Sequence, residues 1–265
     1  MSHDPGTSII IPTFNRPQWA AELVGQLVAQ QEHSGGLEIL LVNDNGDTAV
    51  FDHARAAAKG SEVALRCFDT GYEGFGVALA RNIGLAFARY GLCLFLDDDV
   101  IAPPQLVSRH QSTADSCLRL GRIDSLVTTD EGEQVVEDRR DILKQHDGSV
   151  TEINQCLGML HGGHFSVPTA LAMVLGGFDE EFLDEEEEDM DFGARAILAT
   201  KQLYVLASAR VLHRGLDSFS LRERGMSGGR DLPRLANERF QTRGNLVVNG
   251  GPEHFLGDRW KQFQC

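Results

Sequence analysis

The chain has 265 residues, 42% hydrophobic and 24% charged, a composition that builds a buried core without disulfide or metal staples. Its formal charge of −15 excludes the basic footprint that non-specific binding to nucleic acid or to an anionic membrane requires. Neither is expected as a partner.

Five cysteines (67, 93, 117, 156 and 265) are odd in number and far apart, with no C-x-x-C. A disulfide framework or structural zinc is not expected, and the cytoplasm is the expected address. No apolar run approaches the ~20 residues of a membrane span. The first eight residues lack the basic and apolar regions of a signal peptide. Twenty-eight glycines point to tight turns and functional loops.

Ser8 to Ile11 is a continuous apolar run before Pro12, expected as a strand buried on both faces. A helix follows from about Pro17, with Trp19, Leu23 and Leu27 on one face. Leu37 to Val42 reads as a second buried strand, ended by the turn-rich Asn43 to Asp47. An alanine-rich helix (Val50 to Lys59) and a third strand (Val63 to Phe68) come next. A glycine-rich loop, Gly71 to Gly76, enters a helix expected over Val77 to Tyr90. Its spacing matches no phosphate-binding loop. Leu92 to Leu96 is a fourth strand running into Asp97-Asp98-Asp99. This alternation predicts a mainly parallel sheet with helices on both faces.

The second half is less regular. Glu131 to Val150 is polar, expected as a hairpin or surface excursion. Gly158 to Pro168 holds His161 and His164, for which packed or surface roles are favoured over ligation. A short helix (Thr169 to Leu175), an acidic run (Asp184 to Asp191) leading into a helix, and a final strand (Leu203 to Leu212, closed by His213) follow. Arg214 to Arg234 lacks periodicity.

In such sheets ligands bind beyond the carboxyl ends of the strands. Thr13 and Asn15, Asp44, and Asp97 to Asp99 stand at three of those ends. Three adjacent carboxylates repel unless a cation neutralises them, and oxygen ligands suit Mg²⁺ or Mn²⁺. A solvated turn capping the next helix is the other reading of that triplet. The acidic run reads as a solvated helix start through Glu187. Glu188, Asp189 and Asp191 fit a site in which a carboxylate deprotonates a hydroxyl. Arg81-Asn82 reads as helix surface, near the ligand edge.

The segments Ser8–Arg16, Leu41–Gly46, Ala80–Leu85, Phe95–Val100, Gly176–Glu180, Glu188–Asp191 and Val211–His213, in this order, resemble the GT-A-fold glycosyltransferases of family 2 type. The resemblance covers about residues 8–215. It implies an α/β, GT-A-like fold: a mainly parallel Rossmann-like sheet flanked by helices, with a smaller acceptor-side β region. One domain over 1–265 is expected. Residues 1–100 would be the nucleotide-binding half, 101–215 the acceptor and catalytic half, and 216–265 a lid and C-terminal segment.

The resemblance also implies a function: a metal-dependent transferase moving a sugar from an NDP-sugar, expected as a UDP-sugar, to an acceptor hydroxyl with inversion. Pro12, Thr13 and Asn15 would line the nucleotide pocket, Asp44 would bond the base, and Arg81 would lie near base or phosphates. Asp97 or Asp98 would contact the ribose. Asp99 would bind Mn²⁺ or Mg²⁺, with His213 adding a metal or phosphate contact. Asp189 would be the general base, and Glu188 would orient the acceptor. Arg214, Arg222, Arg224 and Arg230 would sit on a lid over the diphosphate, or on an ordinary loop.

The sequence departs from the family at Asn43-Asp44, where two aspartates are usual, and the acidic run before Glu188 is long. A retaining transferase on the same fold, or a nucleotide-sugar-binding module without turnover, are the alternatives. A nucleotidyltransferase is disfavoured, because Pro12 to Asn15 stands where its glycine- and arginine-rich loop would be.

Overall fold

The computed structural model describes residues 3–113, 116–129, 132–138, 140–145, 147–160, 162–182 and 188–216. The first half runs β1 (Asp4–Thr13), α1 (Pro17–Leu27), β2 (Gly36–Asn43), α2 (Ala49–Ala57), β3 (Ala64–Asp69), α3 (Val77–Phe87) and β4 (Tyr90–Leu96). The second half runs β5 (Val100–Ile101), α4 (Leu106–His110), β6 (Leu118–Thr129), β7 (Gly132–Val136), α5 (Ile142–Gln145), β8 (Gly148–Val150), α6 (Ile153–Gly158), β9 (His164–Pro168), α7 (Thr169–Val174), α8 (Glu188–Thr200) and β10 (Leu203–Leu216).

One sheet in the order β3-β2-β1-β4-β9-β6-β10-β5 organises the described residues. β1 to β4 pair in parallel, as the alternating pattern predicts. Beyond β4, β9 runs antiparallel to β4 and to β6, and β10 runs parallel to β6, so that region is mixed. β7 forms a hairpin with β6, as expected of that excursion, and β8 pairs with β10.

The period-2 geometry of a strand explains the core. Ile9, Ile11, Ile39, Leu41, Leu94 and Leu96 face α1 and α2 in one buried cluster. Ile10, Leu40 and Phe95 point the other way, into a cluster with α3 and α8. α3 approaches β1 closely: a Cβ on Gly84 would lie 2.4 Å from Ile10 Cγ2.

Several boundaries differ from expectation, those of β1, α3 and β10 among them. β1 continues through Pro12 to Thr13, which is tolerated because Pro12 lies past the last residue paired with β4. α3 stops at Phe87 rather than Tyr90: Ala88 turns extended (ψ 131°), and Arg89 and Tyr90 donate their N–H groups to Glu38 and Ser8. β10 does not close at His213 but carries it within the strand. Residues 217–265, with Arg222, Arg224, Arg230 and the expected lid, lie outside the described residues, as does His161. Among the described residues no helix is long and apolar enough to cross a membrane.

Candidate active site

Four phenylalanines underlie the sheet's carboxyl edge. Phe178 stacks on Phe192 (centroids 4.4 Å apart) and meets Phe95 edge-on at 5.1 Å, while Phe95 stacks on Phe165 at 5.0 Å. This cluster fixes the Gly176–Glu180 loop and the first turns of α8 against β4 and β9. Buried Arg195 on α8 pairs with Asp191 and donates to the carbonyls of Leu175 and Gly177, both at 2.8 Å. Gly176 and Gly177 hold φ of 81° and 67°, which a side chain would strain. Through these contacts the motif loops become rigid supports.

At the ends of β1 and β2, the Asp44 N–H donates to the Thr13 carbonyl at 2.8 Å. The Asp44 carboxylate accepts from Gly76 N–H at 2.8 Å and Thr70 Oγ1 at 3.1 Å. Burial raises its pKa above the usual carboxylate value, against the pull of those two bonds. Asn15 takes a left-handed φ of 55°, and its Oδ1 accepts from Asp47 N–H at 2.9 Å, joining the ends of β1 and β2. Pro12 lies within β1.

The acidic triplet fans out in three directions. Asp97 accepts from Arg81 at 3.1 Å, and its N–H donates to Gly163 O at 3.0 Å. Asp98 accepts from Thr13 Oγ1 at 2.7 Å and from Arg16 at 3.0 Å. Burial pushes Asp98 up to about 6 despite both bonds. Asp99 accepts from Arg16 through Oδ2 at 2.8 Å, and its Oδ1 stands 3.3 Å from His213 Nε2. Burial raises Asp99 too, with His213 and Arg16 opposing.

Among the described residues no three His, Cys, Asp or Glu side chains gather around one point. Asp99 Oδ1 is nevertheless buried with no hydrogen-bond partner among the described residues, and it faces an imidazole nitrogen. A carboxylate oxygen and an imidazole, completed by phosphate oxygens and water, suit Mg²⁺ or Mn²⁺, so the residues present fit a divalent cation.

At the start of α8, Glu188 Oε1 accepts from Arg81 Nη1. The Asp189 carboxylate packs against the backbone of Gly162: a Cβ there would lie 1.7 Å from Asp189 Oδ2. A Cβ on Gly163 would lie 2.5 Å from Asp97 Oδ2. Two consecutive glycines thus floor the space under both carboxylates. Burial first, then the charges of Glu188 and Asp97, push Asp189 up to about 7, with Arg81 pulling the other way.

The fold therefore gathers Thr13, Asn15, Asp44, Asp97, Asp98, Asp99, Glu188, Asp189 and His213 along one sheet edge. Arg81 and Asn82 are not helix surface: they are 4% and 3% exposed. His164 is a packed residue, bonded to His110, as favoured. The Arg214 guanidinium is paired with Glu22, while its backbone N–H donates to Asp99 O at 2.8 Å.

Sequence reasoning passed over Arg16, Thr70, Gly162 and the inward role of Asn82. Arg16 was within reach, since it directly follows Asn15. The Gly162-Gly163 tandem was the other visible signal.

Comparison with known proteins agrees with this geometry. Residues 8–124 match the model of glycosyl transferase family 2. Validoxylamine A glucosyltransferase of Streptomyces hygroscopicus subsp. limoneus is 30% identical over 222 residues, covering 73% of this chain and 48% of the relative. Its counterpart from subsp. jinggangensis gives the same identity, with 52% of that relative covered. The chain thus spans about half the length of these curated relatives. The structure of S. aureus TarS 1-349 in complex with UDP superposes with a TM-score of 0.63 at 18% identity, covering 97% of this chain and 71% of that one. TarS 1-349 with UDP-GlcNAc gives 0.61 at 17%, covering 96% and 71%. The motif order and the sheet agree with these matches: residues 8–124 match glycosyl transferase family 2, and the fold is that of the GT-A structures.

Proposed function

We propose that the chain transfers a sugar from a UDP-sugar to an acceptor hydroxyl with inversion, with Asp189 as general base. The observation that carries this reading is the Asp189 carboxylate, pushed up to about 7, opposite the Asp97–Asp99 edge across the Gly162-Gly163 floor. A base with that proton affinity is partly free at neutral pH and still accepts a proton from an attacking hydroxyl. Relatives named as glucosyltransferases, and TarS structures holding UDP and UDP-GlcNAc, support a uridine donor.

In this reading Thr13, Asn15 and Asp44 hold the uridine, and Asp98 or Asp97 meets the ribose. Asp99 and His213 would hold Mn²⁺ or Mg²⁺, which would supply neutralisation of the charge on the leaving diphosphate. Asp189 takes the acceptor proton as the hydroxyl attacks the anomeric carbon from the face opposite the leaving group, and one displacement inverts the centre. Glu188 orients the acceptor. The whole chain acts as one domain in the cytoplasm.

Thermal shift and calorimetry with UDP and UDP-sugars, with and without Mn²⁺, test the donor without needing the acceptor. UDP stabilisation that requires Mn²⁺ and disappears in Asp99→Ala supports the reading, and no nucleotide binding under any metal condition removes it. The product's anomeric configuration by NMR decides inversion.

A further inference from the structure

Arg81 belongs to the donor half by sequence, on α3, but its guanidinium is turned inward. Nη2 donates to Asp97 Oδ1 at 3.1 Å, and Nη1 donates to Glu188 Oε1. The guanidinium carbon lies 5.5 Å from the centroid of Phe178. Only 4% of Arg81 is exposed, and Glu188 is equally enclosed. A buried guanidinium is costly unless carboxylates meet it, and here the two that do come from different halves of the fold. Asp97 directly follows β4, and Glu188 opens α8. Glu188 Oε2 is buried with no hydrogen-bond partner among the described residues, so Arg81 is the cation that anchors that carboxylate. The planar guanidinium fixes the angle between its two partners as well as their separation. The residue after Glu188 is Asp189.

Beside Arg81, the adjacent Asn82 clasps the Phe178 backbone, and its Nδ2 also donates to Glu180 Oε1 at 2.9 Å. Two consecutive residues of one donor-side helix thereby hold both catalytic-half motifs.

We propose that Arg81 is a positioning residue and not a nucleotide ligand: by joining Asp97 to Glu188 it sets the Asp189 carboxylate against the donor edge. This rests on the transferase reading above. It assigns the reaction's geometry to a residue that touches neither sugar nor nucleotide. The groups that face Asp189 electrostatically are Glu188, Arg81 and Asp97.

The test compares wild type with Arg81→Lys, Arg81→Gln, Glu188→Gln and the Arg81→Gln/Glu188→Gln pair. UDP binding with Mn²⁺ is measured by calorimetry, UDP release from UDP-glucose and UDP-GlcNAc as a function of pH, and amide exchange in the first turn of α8 by mass spectrometry. Arg81→Gln is expected to keep UDP affinity within about threefold, while turnover falls about 10- to 100-fold. Exchange at 188–192 rises, and the acidic limb of the pH profile moves to higher pH, because the cation that holds Asp189 down is gone. Arg81→Lys regains part of the turnover, and Arg81→Gln adds little in the Glu188→Gln background.

Loss of UDP affinity in step with turnover makes Arg81 a ligand and overturns the proposal. A lower melting temperature with turnover per folded molecule and exchange at 188–192 unchanged also overturns it, because Arg81 is then only a core pair. If Arg81→Gln does not fold, Arg81→Lys carries the same split between binding and turnover. If wild type binds no UDP at all, the transferase reading fails, and exchange at 188–192 still reports whether Arg81 holds α8.

Discussion

The side chain of Asn82 and the backbone of Phe178 form a closed two-way pair: Phe178 N–H donates to Asn82 Oδ1 at 2.8 Å, and Asn82 Nδ2 donates to Phe178 O at 2.9 Å. The pair spans 96 residues of chain and is buried. It gives the backbone of a loop residue the partners that strand pairing supplies elsewhere. In Asn82→Ala both Phe178 groups lose a buried partner, which costs about 1–3 kcal/mol. Urea denaturation should show a lower midpoint with an unchanged slope. A midpoint equal to wild type would mean that water replaces the amide without penalty.

Gly162→Ala separates activity from stability. The new methyl group would overlap the Asp189 carboxylate, the far end of a side chain, which can rotate away. The fold should lose less than about 1 kcal/mol, while turnover drops by about 100-fold because the base is displaced by roughly an ångström. UDP binding with Mn²⁺ should remain. Full activity in Gly162→Ala would show that Asp189 does not act from its place over Gly162.

The contrast between the two halves explains what the sequence disclosed. Ile9 to Ile11, Ile39 to Val42 and Leu92 to Leu96 are buried on both faces, so their strands appear as unbroken apolar runs bounded by turns. β6 reads LRLGRIDSLVTT, with charges inside the strand; its hairpin partner β7 is local, but its sheet neighbours β9 and β10 lie far along the chain, and its pattern carries no record of them. The same division holds in the site. Asp97–Asp99 and Glu188-Asp189 are visible because the carboxylates are contiguous. Arg81 looked like helix surface because the groups that make its burial tolerable stand on other elements, Glu188 being 107 residues away. The helix pattern carries no record of that distance.

A chain of neutral groups links α4, β9 and β6. His164 Nδ1 faces the Arg122 carbonyl at 3.3 Å, which can only accept, so Nδ1 carries the proton. His164 Nε2 is then an acceptor for His110 Nε2–H at 2.8 Å, and His110 Nδ1 accepts from Ser166 Oγ at 2.8 Å. A second proton on His164 would set N–H against N–H, and one on His110 would fall on Nδ1 and turn the Ser166 hydroxyl from donor to acceptor. Burial lowers His164 to about 4 and His110 well below its usual value. Below the unfolded histidine value of about 6.5 the unfolded chain takes up protons that the fold refuses, so this pair removes stability as pH falls toward about 4. Asp98 and Asp189, raised to about 6 and about 7, act in the opposite sense across part of that window. Total stability therefore mixes the two, and imidazole NMR separates them. Both rings should remain neutral at about pH 5.5, a pH at which an unperturbed histidine is mostly charged. A midpoint above about 6 for either ring would contradict this tautomer chain.

Asp189→Asn tests the base directly. Asparagine keeps the size of the side chain and its place over Gly162, and it removes the site that takes the proton. It also removes a charge beside Glu188 and Asp97, which relieves repulsion, so stability should hold or rise slightly. UDP affinity with Mn²⁺ should stay near wild type, since the change is on the reactive side. Turnover should fall by about 10²- to 10⁴-fold, the usual worth of a positioned general base. In wild type the active form is the carboxylate. UDP release should therefore rise with pH and level off above about 7, and the residual activity of Asp189→Asn should lack that rise. Steady-state rates with UDP-glucose and UDP-GlcNAc as donors, taken across this pH range on both proteins, make the comparison. An Asp189→Asn enzyme with wild-type turnover, or one that keeps the same rise with pH, would move the base to another carboxylate, and Glu188, already engaged by Arg81, would be the first to examine.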